Sequence, residues 1–490
     1  MEKTQPTGCR RALRFLFRTT LVLILIFVLA VGFFAWRGSW APAGPQNRLA
    51  EWPMPWADAP ASDRAWSIYQ EAHEVLPPPP EIPDPGAGLL STKRTKSIIT
   101  GGPPDPALAD QVVAYLDDPS TQSALDLYRT GAARRWLARE PETPAFGAPT
   151  FTVYGLEFDH LTQLRGAARL LTTEAWVAAK RGERDLVLDN IEAALGIARQ
   201  TLAEQHTISI LTSQAIEALA SSTILEISHA HPEIITDEWL GRAIGTHRSH
   251  ISIRPESFST ASEQMLAEDR ADLVYTPSGA ATSRGLRLAF RSDSHPAKWH
   301  PLHDTLLAPI ALFSPGRSEA VNATNEEHSE FERISAMKPW EAMATAELAT
   351  LQQQAMSKWE PSFAHKILWG QSGLPAFSAM FSHWKIQADL DAHLAALQIL
   401  RLERQLGRVP AADEVAPFLP PDPFDGAPLR YVTTGNSWTL YSIGSDRDDD
   451  TGRHAQRAGT MMSPERADRL CNESPAEYDG DHVHWPPTQE

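Results

Sequence analysis

Residues 159–229 read DHLTQLRGAARLLTTEAWVAAKRGERDLVLDNIEAALGIARQTLAEQHTISILTSQAIEALASSTILEISH, and this stretch decides the fold class. In its first part Leu161, Leu164, Ala168, Leu171, Ala175 and Ala178 recur at spacings of three and four. That places them on one face of a helix, which Arg181-Gly182 should end. A second helix from about Glu183 carries Leu188, Ile191, Leu195, Ala198 and Leu202, and a third from about Ile208 carries Leu211, Ala215, Leu219 and Ile224. Each stripe must be buried against a neighbour, so a helical bundle or hairpin stack is expected. The connector at 178–185 resembles the turn of tetratricopeptide hairpins. No period of about 34 residues recurs, so a repeat array is not expected.

Outward from this block the helical grammar persists with interruptions. Thirty-nine prolines cluster at Pro42–Pro60, Pro77–Pro85 and Pro103–Pro106 and again near the C-terminus. Short helices with irregular connectors follow from that. A helix is expected over about 63–75, then an extended PPPPEIPDPG, then one or two helices over 105–139 with Asp117-Asp118-Pro119 as a break or cap. Residues 233–275 and 329–360 also read as helical, and a long helix over about 376–406 should end at Gly407. There the pattern changes. Leu429–Val432 and Trp438–Ile443 flank Thr433-Thr434-Gly435-Asn436 as a β-hairpin. The polar, acidic tail is expected to lack fixed structure.

At the other end, Lys3, Arg10, Arg11, Arg14 and Arg18 face a single acid, Glu2, and an uncharged run follows from Thr19 to Trp36. Its length suits a membrane-spanning helix, which needs about 17–25 apolar residues. Basic residues stay on the cytoplasmic side, so the N-terminus is expected inside and the bulk of the chain outside. A cleaved signal peptide is the competing reading, since Ala41-Pro42-Ala43 loosely matches a processing site. The run exceeds the usual core of about 7–15 residues. Phe33, Phe34, Trp36 and Trp40 at its end suit an interfacial belt, so a retained signal anchor is the reading adopted. The expected organisation is a basic tail (1–18), a transmembrane anchor (19–36) and a proline-rich stalk with a short helix (37–104). A helical ectodomain (105–375), a long helix with a β-hairpin cap (376–450) and an acidic tail (451–490) complete it. The fold class is mainly α with a small α+β cap.

The formal net charge is −17, and because residues 1–18 sum to +4 the remainder carries −21. An exterior so acidic argues against nucleic acid as a partner and suits attraction of divalent cations. The two cysteines, Cys9 and Cys471, fall on opposite sides of the expected membrane and supply neither a disulfide framework nor a cysteine zinc site.

Asp446, Asp448, Asp449 and Asp450 follow the hairpin, with Asp422 and Asp425 just before it. Calcium takes about six to eight oxygen ligands, and alternate acids in a loop can face one ion. Asp446, Asp448 and Asp450 are therefore the candidate calcium ligands. A solvated acidic run is the plainer alternative. SHPAKWHPLHD offers His295, His300, His303 and Asp304 as ligand types for zinc, and His482-Val483-His484 is a lesser candidate. No GxSxG in strand–turn–helix context, no GxGxxG, no GxxxxGK[ST] and no HExxH occurs. A non-catalytic helical scaffold is the leading expectation, and a metal-dependent hydrolase using His300 and His303 is the alternative.

From Gly407, GRVPAADEVAPFLPPDPFDGAPLRYV and then WTLYSIGSDRDDDTG resemble the C-terminal part of the major pseudopilin of type II secretion. The matching positions are Asp422, Pro423, Phe424, Gly426, Tyr431, Tyr441, Ser442, Gly444, Asp446, Asp448, Asp449 and Asp450. The resemblance implies a calcium-binding acidic loop after the hairpin. It spans about forty residues, and the apolar run lacks the pseudopilin processing site and glutamate, so pilus assembly is not implied. The whole layout resembles a group of uncharacterised bacterial envelope proteins. That implies an N-terminal anchor, a helical region and a closing cap segment, and it carries no activity. With the orientation expected above, the chain is read as a single-pass protein of the bacterial inner membrane with a periplasmic ectodomain. An envelope partner is expected because helical stacks present grooves.

Overall fold

A computed structural model describes residues 25–30, 32–33, 36, 57–83, 95–139, 158–252, 261–282, 316–345, 373–455, 457, 459–460 and 464–487. The chain is mainly helical with a small three-stranded antiparallel sheet. Helices α1 (Trp66–Val75), α2 (Ala109–Leu116) and α3 (Pro119–Ala132) lead into α4 (Asp159–Arg181), α5 (Arg184–Leu202) and α6 (Thr207–Ala230). Asp118 caps α3, its Oδ1 accepting from Ser120 N at 2.8 Å and Thr121 N at 3.2 Å, with Pro119 in the first turn. Gly182 ends α4 at φ +77°, the left-handed geometry that a side chain disfavours. Helix α5 packs on both α4 and α6, so the three form the expected antiparallel stack.

One departure concerns α6. Of the stripe through Ile208, Leu211, Ala215, Leu219 and Ile224, Ile208 and Ala215 are exposed, Leu211 and Leu219 are half-buried, and Ile224 alone is fully buried. Ile210, Ser213, Glu217, Ala220 and Ile227 turn inward with Ile224. Apolar residues surround this helix, so periodicity distinguishes its faces poorly. Its buried polar residues bond locally, as when Ser213 Oγ donates to Ala198 O.

The expected stalk is also corrected. Residues 57–83 and 95–104 are part of the helical body: α1 packs on α3, with Ala65, Tyr69 and Ala72 buried. Tyr69 Oη donates to Gln200 Oε1 on α5 at 2.6 Å, and its ring lies against Gly131. Burying such a ring contributes about 1.5–3 kcal/mol, which a solvated stalk would forgo. Strands β1 (Glu81–Pro83) and β2 (Thr95–Ser97) pair antiparallel beside it.

Beyond α6 come α7 (Asp237–Ser252), α8 (Ala261–Val274), α9 (Arg317–Ser335), α10 (Pro339–Met343) and α11 (Gly373–Leu406). Helix α11 crosses α6 and α7 and stops at Gly407, φ +65°. One core runs from Ala65 through α1–α7 and α11 to Trp485. A second gathers Ile210, Phe331, Met343, Met380, Trp384, Phe424 and Ile443 where α9, α10 and α11 meet.

After α12 (Ala412–Val415) the hairpin forms as expected, β3 (Arg430–Thr434) with β4 (Ser437–Ser442). The tail differs from expectation. Its described residues include α13 (Pro464–Glu473), α14 (Pro475–Tyr478) and β5 (His482–Trp485), which adds a third strand to β4. Its acids are used as acceptors: Asp481 is fully buried, and its Oδ2 accepts from Gly452 N at 2.6 Å. Trp485 supplies the apolar anchor that the acidic composition hides.

Within the N-terminal apolar run, residues 25–30, 32–33 and 36 are helical, and Leu25, Ile26, Phe27, Val28 and Leu29 are all more than half exposed. Among the described residues one helix, Thr207–Ala230, is long and apolar enough to cross a membrane, and it is mostly buried inside the fold.

Candidate functional site

Asp446, Asp448 and Asp450 come to one point. Arg447 at φ +63° and Thr451 at φ +60° curl the loop, so alternate carboxylates turn inward. One oxygen from each, and one from Asp479 between α14 and β5, lie within 4.8 Å of one another. Asp446 Oδ2 accepts from Gly480 N at 2.6 Å, while its Oδ1 is buried with no hydrogen-bond partner. Burial pushes the Asp446 carboxyl up to about 6, the Gly480 amide opposes this, and the neighbouring Asp448 charge adds to the rise. Arg453 Nη2 stands 2.5 Å from Asp450 and 3.4 Å from Asp479. Two of the four carboxylates thus pair with one guanidinium. The donors are hard oxygens, the kind calcium takes, and Arg453 is the competing counter-charge.

Asp449 points away, as alternation requires: its Oδ1 accepts from Tyr441 Oη at 3.0 Å and Thr451 N at 2.9 Å. Asp422 and Asp425 stand apart from the cluster and are structural. Asp422 is fully buried and accepts from Phe424 N, Ser442 Oγ, Ile443 N and Arg430 Nη1, at 2.9 to 3.1 Å, joining the Asp-Pro-Phe turn to the end of β4. Asp425 pairs with Arg430 at 2.5 Å. Asp479 was missed by sequence reasoning; its one signal is the run Asp479-Gly480-Asp481.

A second group lies on the other side of β5. Asp389 on α11, His482 and His484 each place one ligand atom within 4.8 Å of the others. Burial alone would raise the Asp389 carboxyl, but the Lys385 ammonium and the hydrogen bond from His482 hold it well below the usual range. Burial pushes His484 well down and His393, four residues beyond Asp389, down to about 4, so both rings are neutral at ordinary pH. His295, His300, His303 and Asp304 lie outside the described residues.

The cleft of about 470 Å³ between α3, α5 and α7 is edged by charges that already pair: Asp189 and Glu192 both accept from Arg242. No family model, no curated protein and no solved structure matches this chain.

Proposed function

We propose that this chain is a helical scaffold of the bacterial envelope, held in the inner membrane by residues 19–36, with its body in the periplasm and its cap fastened by calcium. The observation that carries the reading is the exposed apolar surface of the helical residues 25–29, set against a body whose amphipathic helices bury their apolar faces. A helix with apolar residues all round its surface suits hydrocarbon, where its backbone is satisfied internally. The five basic residues before it orient the N-terminus inward. The helical stack then presents grooves to a partner rather than a reaction centre, and calcium on Asp446, Asp448, Asp450 and Asp479 would hold the loop after β4 to the segment before β5.

Two measurements test this. Protease protection and crosslinking in intact spheroplasts should find the body accessible from outside and one reproducible envelope partner; a body protected inside, or no partner, rejects the reading. For the cap, purified full-length protein should melt higher in calcium than in chelator, and Asp448→Asn should abolish the difference. A calcium response unchanged in that variant would remove calcium from these residues.

A further inference from the structure

Asp389 and His393 are one turn apart on α11, and His482 and His484 occupy alternate positions on β5. A spacing of four on a helix therefore meets a spacing of two on a strand, and all four side chains lie on facing surfaces. His482 Nε2 is 3.1 Å and His484 Nδ1 3.9 Å from the same atom, Asp389 Oδ1. The other oxygen, Oδ2, is taken by Lys385 Nζ at 2.5 Å. The His393 ring stands 6.0 Å from that of His484, and its Nδ1 is buried with no hydrogen-bond partner. Asp389 and His484 are almost completely buried, whereas His482 is partly exposed and gives solvent a way in.

We propose that Asp389 Oδ1, His482 Nε2 and His484 Nδ1 form a three-ligand binding site for a transition-metal dication of the zinc class, with His393 behind the His484 ring and outside the ligand set. Two imidazoles and a carboxylate are the ligand types zinc takes, and three protein ligands leave a fourth tetrahedral position for water, which the partly exposed His482 side admits. The donors are the softer nitrogen kind and separate this site from the all-oxygen acidic loop, which suits calcium. A metal here would replace the His482–Asp389 hydrogen bond by bonds to the same atoms and pin β5 to α11. Lys385 works against it: its ammonium neutralises the ligand carboxylate and repels the incoming cation. The proposal goes beyond the scaffold reading and depends on neither the anchor nor calcium.

The test uses full-length protein in detergent, stripped with chelator, then dialysed against zinc or cobalt alone. Expected are one zinc per chain by elemental analysis and a visible cobalt spectrum of low-symmetry nitrogen–oxygen coordination. His482→Asn, at a partly exposed position, and Asp389→Asn should each weaken zinc binding by about tenfold or more, as loss of a ligand shell member does. Lys385→Gln should tighten it several-fold, which a merely structural ion pair would not do. Asp448→Asn should leave zinc unaffected. Near-UV circular dichroism identifies folded variants. Folded wild-type protein that takes up no zinc, or zinc uptake unchanged in folded His482→Asn and Asp389→Asn, overturns the proposal.

Discussion

Trp438 on β4 and Trp485 on β5 stack with ring centroids 5.2 Å apart and planes 20° from parallel. Trp438 Nε1 also donates to Glu403 Oε2 near the end of α11 at 2.9 Å, and Trp485 meets the His229 ring on α6 edge-on at 5.4 Å. The ring pair thus joins the sheet to two core helices, and both rings are buried. Trp485→Ala should cost about 3 kcal/mol, the lower part of the range for removing a buried aromatic. Urea denaturation measures the loss, and limited proteolysis should then cut first between β4 and β5. A variant as stable as wild type would mean that β5 contributes nothing to holding the cap.

How far this fold was legible depended on whether the signals were local. Asp118-Pro119, Gly182 and Gly407 each end or begin a helix through their own backbone chemistry, and all three do so where the sequence placed them. The face of α6 was not legible, because Ser213, Gln214 and Glu217 are buried by partners that periodicity does not reveal. For the candidate sites, alternation brought Asp446, Asp448 and Asp450 together, but Asp479 arrives from a segment whose acidity suggested no structure. His482 and His484 were visible as a pair, yet their carboxylate, Asp389, is 93 residues upstream of His482, a distance only the fold closes.

Two glycines in neighbouring helices should respond oppositely to alanine. A Cβ at Gly196 in α5 would stand 2.5 Å from the Ala132 carbonyl oxygen, a backbone atom that cannot rotate away. Gly196→Ala should therefore destabilise by about 1–3 kcal/mol, the cost of overpacking. Gly166 in α4 has nothing within 4 Å of the same position. Gly166→Ala should stabilise by roughly 0.5–1 kcal/mol by restricting the unfolded chain. Thermal melts of both variants decide the matter; equal shifts would contradict the close approach of α3 and α5.

Arg129 ties three elements through buried charge. Its Nη1 donates to Glu174 Oε2 at 2.6 Å and to Asn190 Oδ1 at 2.7 Å. Glu174 keeps a second donor, Gln122 Nε2, at 3.0 Å. Arg129→Met leaves that carboxylate buried without its cation and should cost about 3–5 kcal/mol. Arg129→Met with Glu174→Gln removes the charge together with its partner and should recover much of the loss. A double-mutant cycle from urea denaturation reads the coupling, and additive losses would rule out a direct interaction.

The junction between α11 and the sheet should carry a pH signature. Arg408 donates to both oxygens of Glu414, at 2.7 and 2.8 Å, and Glu414 Oε2 also accepts from Ala411 N at 2.6 Å. The Arg408 bonds, then the Ala411 amide, pull the Glu414 carboxyl down to about 2. Its unfolded value is ~4.3, so between those limits the unfolded chain binds more protons than the folded one. The stabilisation is therefore full above ~4.3 and disappears as pH falls through the folded value. Because the pair sits at the surface, solvent screens it and its contribution is modest. Glu414→Gln should lower Tm at neutral pH, and the gap from wild type should close as the pH is lowered across this window. Added salt at neutral pH should narrow the gap as well. A gap that stays constant with both pH and salt would mean that Glu414 acts through packing and not through its charge.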